Sequence, residues 1–284
     1  MIRTLLSLQP FAVHRRFLSL ALVLLAGAPV LVAEALPPVA PQPSSSSVPD
    51  ASLPDAPAPQ VSDRSAVTIR NTPVHVLKDL GAVATSPVRI RTHDLIWLAP
   101  LAGAEAAAIA TDDYTMTHVV SHNPGFNNAN VNASNIIIGG FIATPVVLYG
   151  YGHFEDSAHA RESGVLSGEA MIDSIVAEQA LKLIFWRERP GTDGGRGRFF
   201  QGSSGVDTSF PSSHSMVAFS AAAVIANEYP KPWVETTAYS IATGVCLTRV
   251  MGQQHFPGDV LAGAAAGWLI GHYVFRAHHH PAVQ

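Results

Sequence analysis

The 284-residue chain has little cysteine and little charge. Its single cysteine, Cys246, excludes an internal disulfide framework and a cysteine-rich metal site. Charged side chains make up only 13% of the residues and form no basic stripe, so the composition excludes nucleic acid as an expected partner. Apolar residues are abundant instead. They account for 48% of the chain, which places it between soluble globular proteins and membrane proteins.

The first 35 residues have the pattern of a secretory signal peptide. Arg15 and Arg16 precede an apolar run at residues 17–32, and a small-residue cleavage pattern ends at Ala35. The apolar run is short for a membrane span, which favours cleavage after Ala35 over a retained anchor. We therefore predict an exported protein that is periplasmic or associated with the cell membrane.

Composition divides the remaining chain into three segments. Residues 36–75 are rich in proline and serine and are predicted to form a disordered linker that carries no chemistry. Residues 76–278 contain helical patterns and are predicted to form a single domain, and residues 279–284 are predicted to form a tail.

Apolar runs with helical periodicity dominate the predicted domain, whereas sustained period-two alternation is weak. Small residues recur within the runs and permit close helix packing. The predicted fold is all-α, a single bundle of about six helices. The runs lie at residues 94–110, 134–151, 164–186, 215–227, 236–251 and 257–275.

The sequence leaves open whether this bundle lies in a membrane. A membrane span needs about 20 apolar residues. The central apolar run, residues 136–151, is shorter than that and contains Pro145, and the run at residues 94–110 contains Glu105. These interruptions favour a soluble bundle slightly over a membrane-embedded one.

Two polar clusters have spacings that suit phosphate binding. Lys182 and Arg189 are seven residues apart, about two helical turns, which predicts both cations on one face of a helix that ends near Pro190. The second cluster, Pro211-Ser212-Ser213-His214, opens a helix whose first N–H groups can bind an anion. His214 in that position can act as an acid or a base near neutral pH.

A third cluster contains Arg249, His255 and Asp259. The guanidinium of Arg249 is a planar donor that suits phosphate oxygens. Asp259 follows His255 by four residues, so its carboxylate can accept a hydrogen bond from one imidazole nitrogen and leave the other free to attack. Each of the three clusters, taken singly, is also explained by ordinary helix ends and caps.

The three clusters together, Lys-x6-Arg-Pro, Pro-Ser-x-His and Arg-x5-His-x3-Asp, resemble the signature of the type 2 phosphatidic acid phosphatase and vanadium haloperoxidase superfamily. The resemblance covers about residues 94–275 and implies a helical bundle with its active site at one end. Ser213 stands where the family usually has glycine, and Thr248 where it usually has serine. We expect the first change to alter phosphate affinity without abolishing it.

The resemblance implies a metal-independent phosphatase that hydrolyses phosphomonoesters, with lipid phosphates and polyprenyl diphosphates among the candidate substrates. In that scheme His255 attacks phosphorus to form a phosphohistidine, Asp259 orients it, and His214 protonates the leaving group and then activates water. No cofactor and no metal is implied. The residues predicted to hold the phosphoryl oxygens are Lys182, Arg189, Ser212, Ser213 and Arg249.

Two alternatives remain at this stage: a vanadate-dependent haloperoxidase, and an inert envelope protein that binds phosphorylated lipid. In every case the expected partner is a phosphorylated small molecule or lipid, with membrane association possible. Three other polar segments are interpreted without function. They are Asp112-Asp113 as a solvated helix end, residues 123–135 as a long loop, and His278-His279-His280 as a tail.

Overall fold

The computed structural model describes residues 68–191, 196–201 and 208–279, and every regular element within these ranges is helical. The predicted all-α class is therefore confirmed. The predicted signal peptide and most of the predicted linker lie outside the described residues. The helices are α1 (Thr72–Thr85), α2 (Leu95–His118), α3 (Pro124–Phe154), α4 (Ala158–Phe185), α5 (Ser213–Glu228), α6 (Pro232–Met251) and α7 (Pro257–His278), with short 3₁₀ turns at Ile69–Asn71, Ser86–Arg89 and Thr92–Asp94.

Three predicted boundaries differ from the structure. Helix α1 begins at Thr72, inside the segment predicted as linker, and packs against α4. The loop predicted at residues 123–135 is wrong, because Asn123 caps α3 by accepting a hydrogen bond from the Phe126 N–H at 3.1 Å, and Pro124 occupies the first helical position. His279, predicted to lie in the tail, contacts Glu162 at 3.2 Å.

Helix α5 lies at the centre of the bundle and is buried on most of its circumference. Its core positions are mainly alanine, so α4, α6 and α7 can approach its backbone closely. Because apolar residues surround this helix, it lacks the one-sided stripe of a surface helix. The short helix thus forms the packing axis on which the other helices are arranged.

Helix α7 packs against α5 through glycines spaced four residues apart, Gly263, Gly267 and Gly271. A Cβ atom added at Gly267 would overlap the backbone carbonyl of Met216 on α5, and one added at Gly271 would overlap that of Ser220. The backbones of α5 and α7 are therefore in direct contact, at a separation that a residue larger than glycine would not permit. This contact sets the position of the first turn of α7 relative to the first turn of α5.

Replacing Gly267 with alanine is expected to lower the free energy of unfolding by about 1–3 kcal/mol, because the two helices must separate to accept the methyl group. Gly244 on α6 is the matched control, since a Cβ added there meets no heavy atom within 4 Å. Alanine at Gly244 is expected to be neutral or to stabilise by up to about 1 kcal/mol. Denaturant unfolding of both variants in detergent measures the difference, and equal stabilities would contradict this packing argument.

Within the part of the chain that the structure describes, two helices are long and apolar enough to cross a membrane. They are α2 with its preceding turn, Thr92–His118 (27 residues), and α3, Pro124–Phe154 (31 residues). The most apolar window of the first is 0% buried in the bundle and that of the second is 11% buried. The slight preference for a soluble bundle depends on the short apolar runs at residues 94–110 and 136–151. Both helices are longer than these runs because the polar segments at their ends are also helical.

Candidate active site

The predicted site residues gather at one end of the bundle. Helices α4 and α6 end there, carrying Lys182 and Arg249, while α5 and α7 begin there, next to His214 and His255. The charges of Lys182, Arg189, Arg249 and His255 all act on the His214 ring. Four segments distant in sequence thus meet around one point.

Helix α4 ends at Phe185, four residues earlier than the sequence indicated. Trp186 adopts a left-handed conformation with φ of 37°, and its N–H closes the helix on the Lys182 carbonyl at 3.2 Å. Lys182 and Arg189 therefore do not share one helical face, and that part of the prediction is wrong. The left-handed turn at Trp186 redirects the chain, so Arg187 points into the protein and Arg189 reaches the site from a loop.

His255 is buried and its ring is held from one side. Its Nδ1 lies 2.8 Å from the backbone carbonyl of Ser209. A carbonyl oxygen can only accept, so Nδ1 carries the proton and Nε2 keeps a free electron pair. Burial lowers the pKa of His255, although the nearby carboxylate of Asp259 acts in the opposite direction. The ring is therefore neutral at neutral pH, as a nucleophile must be.

Asp259 acts on His255 less directly than predicted. Its Oδ2 is 3.7 Å from His255 Nδ1, too far for a hydrogen bond. The same oxygen instead accepts from the Ser209 hydroxyl at 2.5 Å and from the Phe256 N–H at 2.8 Å. Asp259 thus fixes Ser209, whose carbonyl orients the imidazole, while its negative charge stays close to the ring.

Arg187, which was not predicted, binds Asp259 from the other side. Its Nη1 donates to Asp259 Oδ1 at 2.6 Å and its Nη2 donates to Asp112 Oδ2 on α2 at 2.7 Å. The guanidinium lies 4.6 Å from the ring centres of both Phe199 and Phe256. Asp112 is buried and paired, so its interpretation as a solvated helix end is wrong.

Lys182 is held in place by a buried carboxylate. Its Nζ lies 2.7 Å from Glu178 Oε1, one helical turn earlier on α4. The Ser213 hydroxyl donates to the same Glu178 oxygen at 2.6 Å and accepts from Lys182 Nζ at 3.3 Å. The serine that replaces the usual glycine of the signature thereby connects α5 to the Lys182–Glu178 ion pair on α4.

Two guanidinium groups complete the positive side of the site. Arg189 Nη1 donates to the carbonyl of Gln254 at 3.1 Å, and Arg249 Nη1 donates to the hydroxyl of Ser134 on α3 at 3.3 Å. Among the described residues, Arg249 Nε is buried without a hydrogen-bond partner. A buried donor of this kind is costly unless a ligand supplies an acceptor, which fits an anion bound between these groups.

His214 stands where the positive charges converge. Burial lowers the pKa of His214 to about 3, and Arg249 and the other cations act in the same direction. Its Nε2 lies 3.2 Å from the amide oxygen of Asn135 on α3. Without an anion present the ring is neutral, so protonation of His214 depends on negative charge entering the site.

Ser212 does not present a free donor as the prediction required. Its N–H donates to the Asp259 backbone carbonyl at 2.9 Å, and its hydroxyl oxygen accepts from the Ser215 hydroxyl at 3.0 Å. Its role in this structure is to cap α5 and to join α5 to α7. The first-turn N–H groups of Ser213 and His214 remain the amides that helix geometry leaves for an anion.

Sequence reasoning missed Glu178, Arg187 and Asp112. Glu178 had a readable signal, since a carboxylate four residues before Lys182 is the usual helical ion-pair spacing. Arg187 lies inside the first motif, but its partners are 72 and 75 residues away, and no local pattern indicates them. The assignment of Asp112 required the tertiary structure.

Comparison with known proteins places the site in a family. Residues 164–281 match the family model of the PAP2 superfamily. A segment of 65 residues is 37% identical to lipid A 1-phosphatase of Porphyromonas gingivalis; it spans 22% of this chain and 15% of that protein. A crystal structure described as the first transmembrane PAP2 type phosphatidylglycerolphosphate phosphatase from Bacillus subtilis is 21% identical, with a TM-score of 0.42, over 73% of this chain and 96% of that one.

The matched region contains all eight residues that were predicted to form the site. Helices α1, α2 and α3 precede it, although α2 and α3 contribute Asp112, Ser134 and Asn135 around that site. Residues 164–281, with the three motifs they carry in order, belong to the PAP2 superfamily.

Proposed function

We propose that this chain is a membrane-associated phosphatase that releases inorganic phosphate from a lipid phosphomonoester through a phosphohistidine at His255. The observation that carries the proposal is the state of the His255 ring. Nδ1 is bound to the Ser209 carbonyl and Nε2 is free, in a buried position beside the guanidinium groups of Arg189 and Arg249. This is the arrangement that nucleophilic attack on a phosphoryl group requires.

The proposed reaction has two steps. In the first, His255 Nε2 forms a bond to phosphorus, the ester P–O bond breaks, and protonated His214 gives its proton to the leaving oxygen. In the second, neutral His214 removes a proton from water, the water oxygen attacks phosphorus, and the P–N bond breaks to release phosphate. Lys182, Arg189 and Arg249 neutralise the charge that spreads over the phosphoryl oxygens in both steps.

The lipid part of the proposal is supported by the surface next to the site. Asn135 contacts His214, and the adjacent Ile136 is 76% exposed. Further along α3, Ile142, Val146 and Val147 are also more than half exposed. A phosphate held at the site therefore has an apolar helix surface beside it, along which acyl chains can lie. The name of the Porphyromonas gingivalis relative is consistent with a lipid-borne phosphate.

The test is phosphate release by the full chain, in detergent and EDTA, from phosphatidate in mixed micelles and from glycerol 3-phosphate. We expect release in EDTA, faster from phosphatidate, and none above the buffer blank with His255→Ala. His153→Ala is the matched control, because His153 is exposed at the far end of α3 and should leave the rate unchanged.

The same preparation separates the alternatives. Bromide oxidation by peroxide after vanadate loading, without phosphate release, would favour the haloperoxidase. Binding of phosphatidate without turnover would favour the inert binder. Release that requires added metal and survives His255→Ala would contradict the proposed mechanism.

A further inference from the structure

A second group of titratable side chains lies at the end of α7 opposite the candidate active site. His75 and Asp79 come from α1, Glu169 and Asp173 from α4, and His278 is the last residue of α7. The mechanism above uses none of them. We propose that these five residues, the distal cluster, bind one divalent transition-metal ion.

The ligand atoms are already close together. One ligand atom each from His75, Glu169 and His278 lie within 4.8 Å of one another. His75 Nδ1 is 3.1 Å from Glu169 Oε1, and His278 Nε2 is 2.8 Å from Asp79 Oδ2. A tetrahedral zinc ion would hold its ligand atoms about 3.3 Å apart. The two imidazole rings stack with their centroids 4.1 Å apart, so binding an ion between them requires the rings to turn toward it.

Among the described residues, three buried carboxylate oxygens in the distal cluster accept no hydrogen bond from an N–H or hydroxyl group. They are Glu169 Oε2 and both oxygens of Asp173, and both side chains are 0% exposed. Asp173 also lies within hydrogen-bonding reach of Asp79, which two carboxyl groups can use only through a shared proton, and the negative charges of Asp79 and Glu169 both act on it. Buried carboxylates without donors are strongly unfavourable, and a divalent cation would satisfy all of them together.

The donor set indicates the class of metal. Two imidazoles with carboxylates suit zinc, cobalt, nickel or manganese, whereas magnesium and calcium prefer oxygen ligands alone. The His75–Glu169 and His278–Asp79 contacts join residues 94 and 199 positions apart. A bound ion would therefore fasten α1 to α4 and α7. Helix α7 places His278 about 30 Å from His255 along its axis, so the role is structural.

Metal content of the full chain, measured by mass spectrometry after chelator stripping and dialysis against limiting zinc, tests the proposal. Wild type is expected to retain one equivalent more than Asp173→Asn or His278→Ala, with at least about 100-fold weaker zinc binding in both variants. His118→Ala is the matched control, because His118 is an exposed histidine on α2 away from the distal cluster. It should match wild type.

Cobalt gives a second readout that remains informative even if one variant folds poorly. Cobalt-loaded wild type is expected to show visible d–d absorption, which Glu169→Gln should lose while keeping the wild-type circular dichroism. Equal zinc uptake by wild type and Asp173→Asn would mean that the cluster holds shared protons only, and the proposal would be wrong. Neither readout involves phosphate release, so a negative result here would not affect the proposal for His255, and a negative result in the His255 test would not affect this one.

Discussion

Replacing Arg187 with methionine is expected to lower the free energy of unfolding by about 3–5 kcal/mol and to remove most of the proposed phosphatase activity. Methionine keeps a long apolar stem between Phe199 and Phe256, but it leaves Asp112 and Asp259 buried without their cation. Breaking a buried ion pair from one side costs this much because the remaining charge is uncompensated. Denaturant unfolding and the rate of phosphate release measure the two effects.

Two further variants distinguish this role from a general loss of positive charge. Arg198 also forms an ion pair, with Glu188, but it is exposed, so Arg198→Met should leave the unfolding midpoint nearly unchanged. Arg187→Lys keeps the charge without the planar fork that reaches both carboxylates and should lie between wild type and methionine. If Arg187→Met were as stable as Arg198→Met, the buried bridge would have no structural role.

Replacing His214 with asparagine is expected to reduce phosphate release by about 10²- to 10⁴-fold, the usual contribution of a general acid and base. The loss should depend on the leaving group. An alkyl alkoxide needs the proton from His214, whereas a p-nitrophenolate leaves without it. Comparing glycerol 3-phosphate with p-nitrophenyl phosphate in both proteins measures this, and equal losses on the two substrates would argue against His214 as the proton donor.

The pH dependence of the wild type follows from the same residue. The pKa of His214 is about 3 in the free protein, so at neutral pH its ring is neutral and lacks the second proton that a general acid donates. The proton must then arrive with the substrate as a phosphate monoanion, whose second pKa is about 6. We expect kcat/KM to fall about tenfold per pH unit above about 7. The lowered pKa of His255 keeps the nucleophile neutral on the acid side.

The helices were predictable where a local pattern specifies them. Apolar runs and capping residues indicated six of the seven helices in the described residues, and the three motifs contain two histidines and three cations that the structure brings to one end of the bundle. The failures have local causes too. Asparagine has low helix propensity, yet the segment after Asn123 is helical because a cap and Pro124 start the helix and α4 and α6 pack against it.

Other features depend on contacts that no window of sequence contains. The early end of α4 depends on the left-handed backbone of Trp186, a conformation that the presence of a tryptophan does not predict. The orientation of His255 by Ser209 joins residues 46 positions apart, and the distal cluster needs α1, which has no strong apolar run. Tertiary packing decides these points, so only the folded chain reveals them.

The bridge from Asp112 through Arg187 to Asp259 has a consequence for modularity. The family match begins at residue 164, but Asp112 lies before it on α2. A protein that began at residue 164 would keep every signature residue and still lack one arm of the bridge beside the proposed nucleophile, His255. The smallest autonomous unit of this protein therefore begins at or before α2, and the boundary given by sequence similarity divides it.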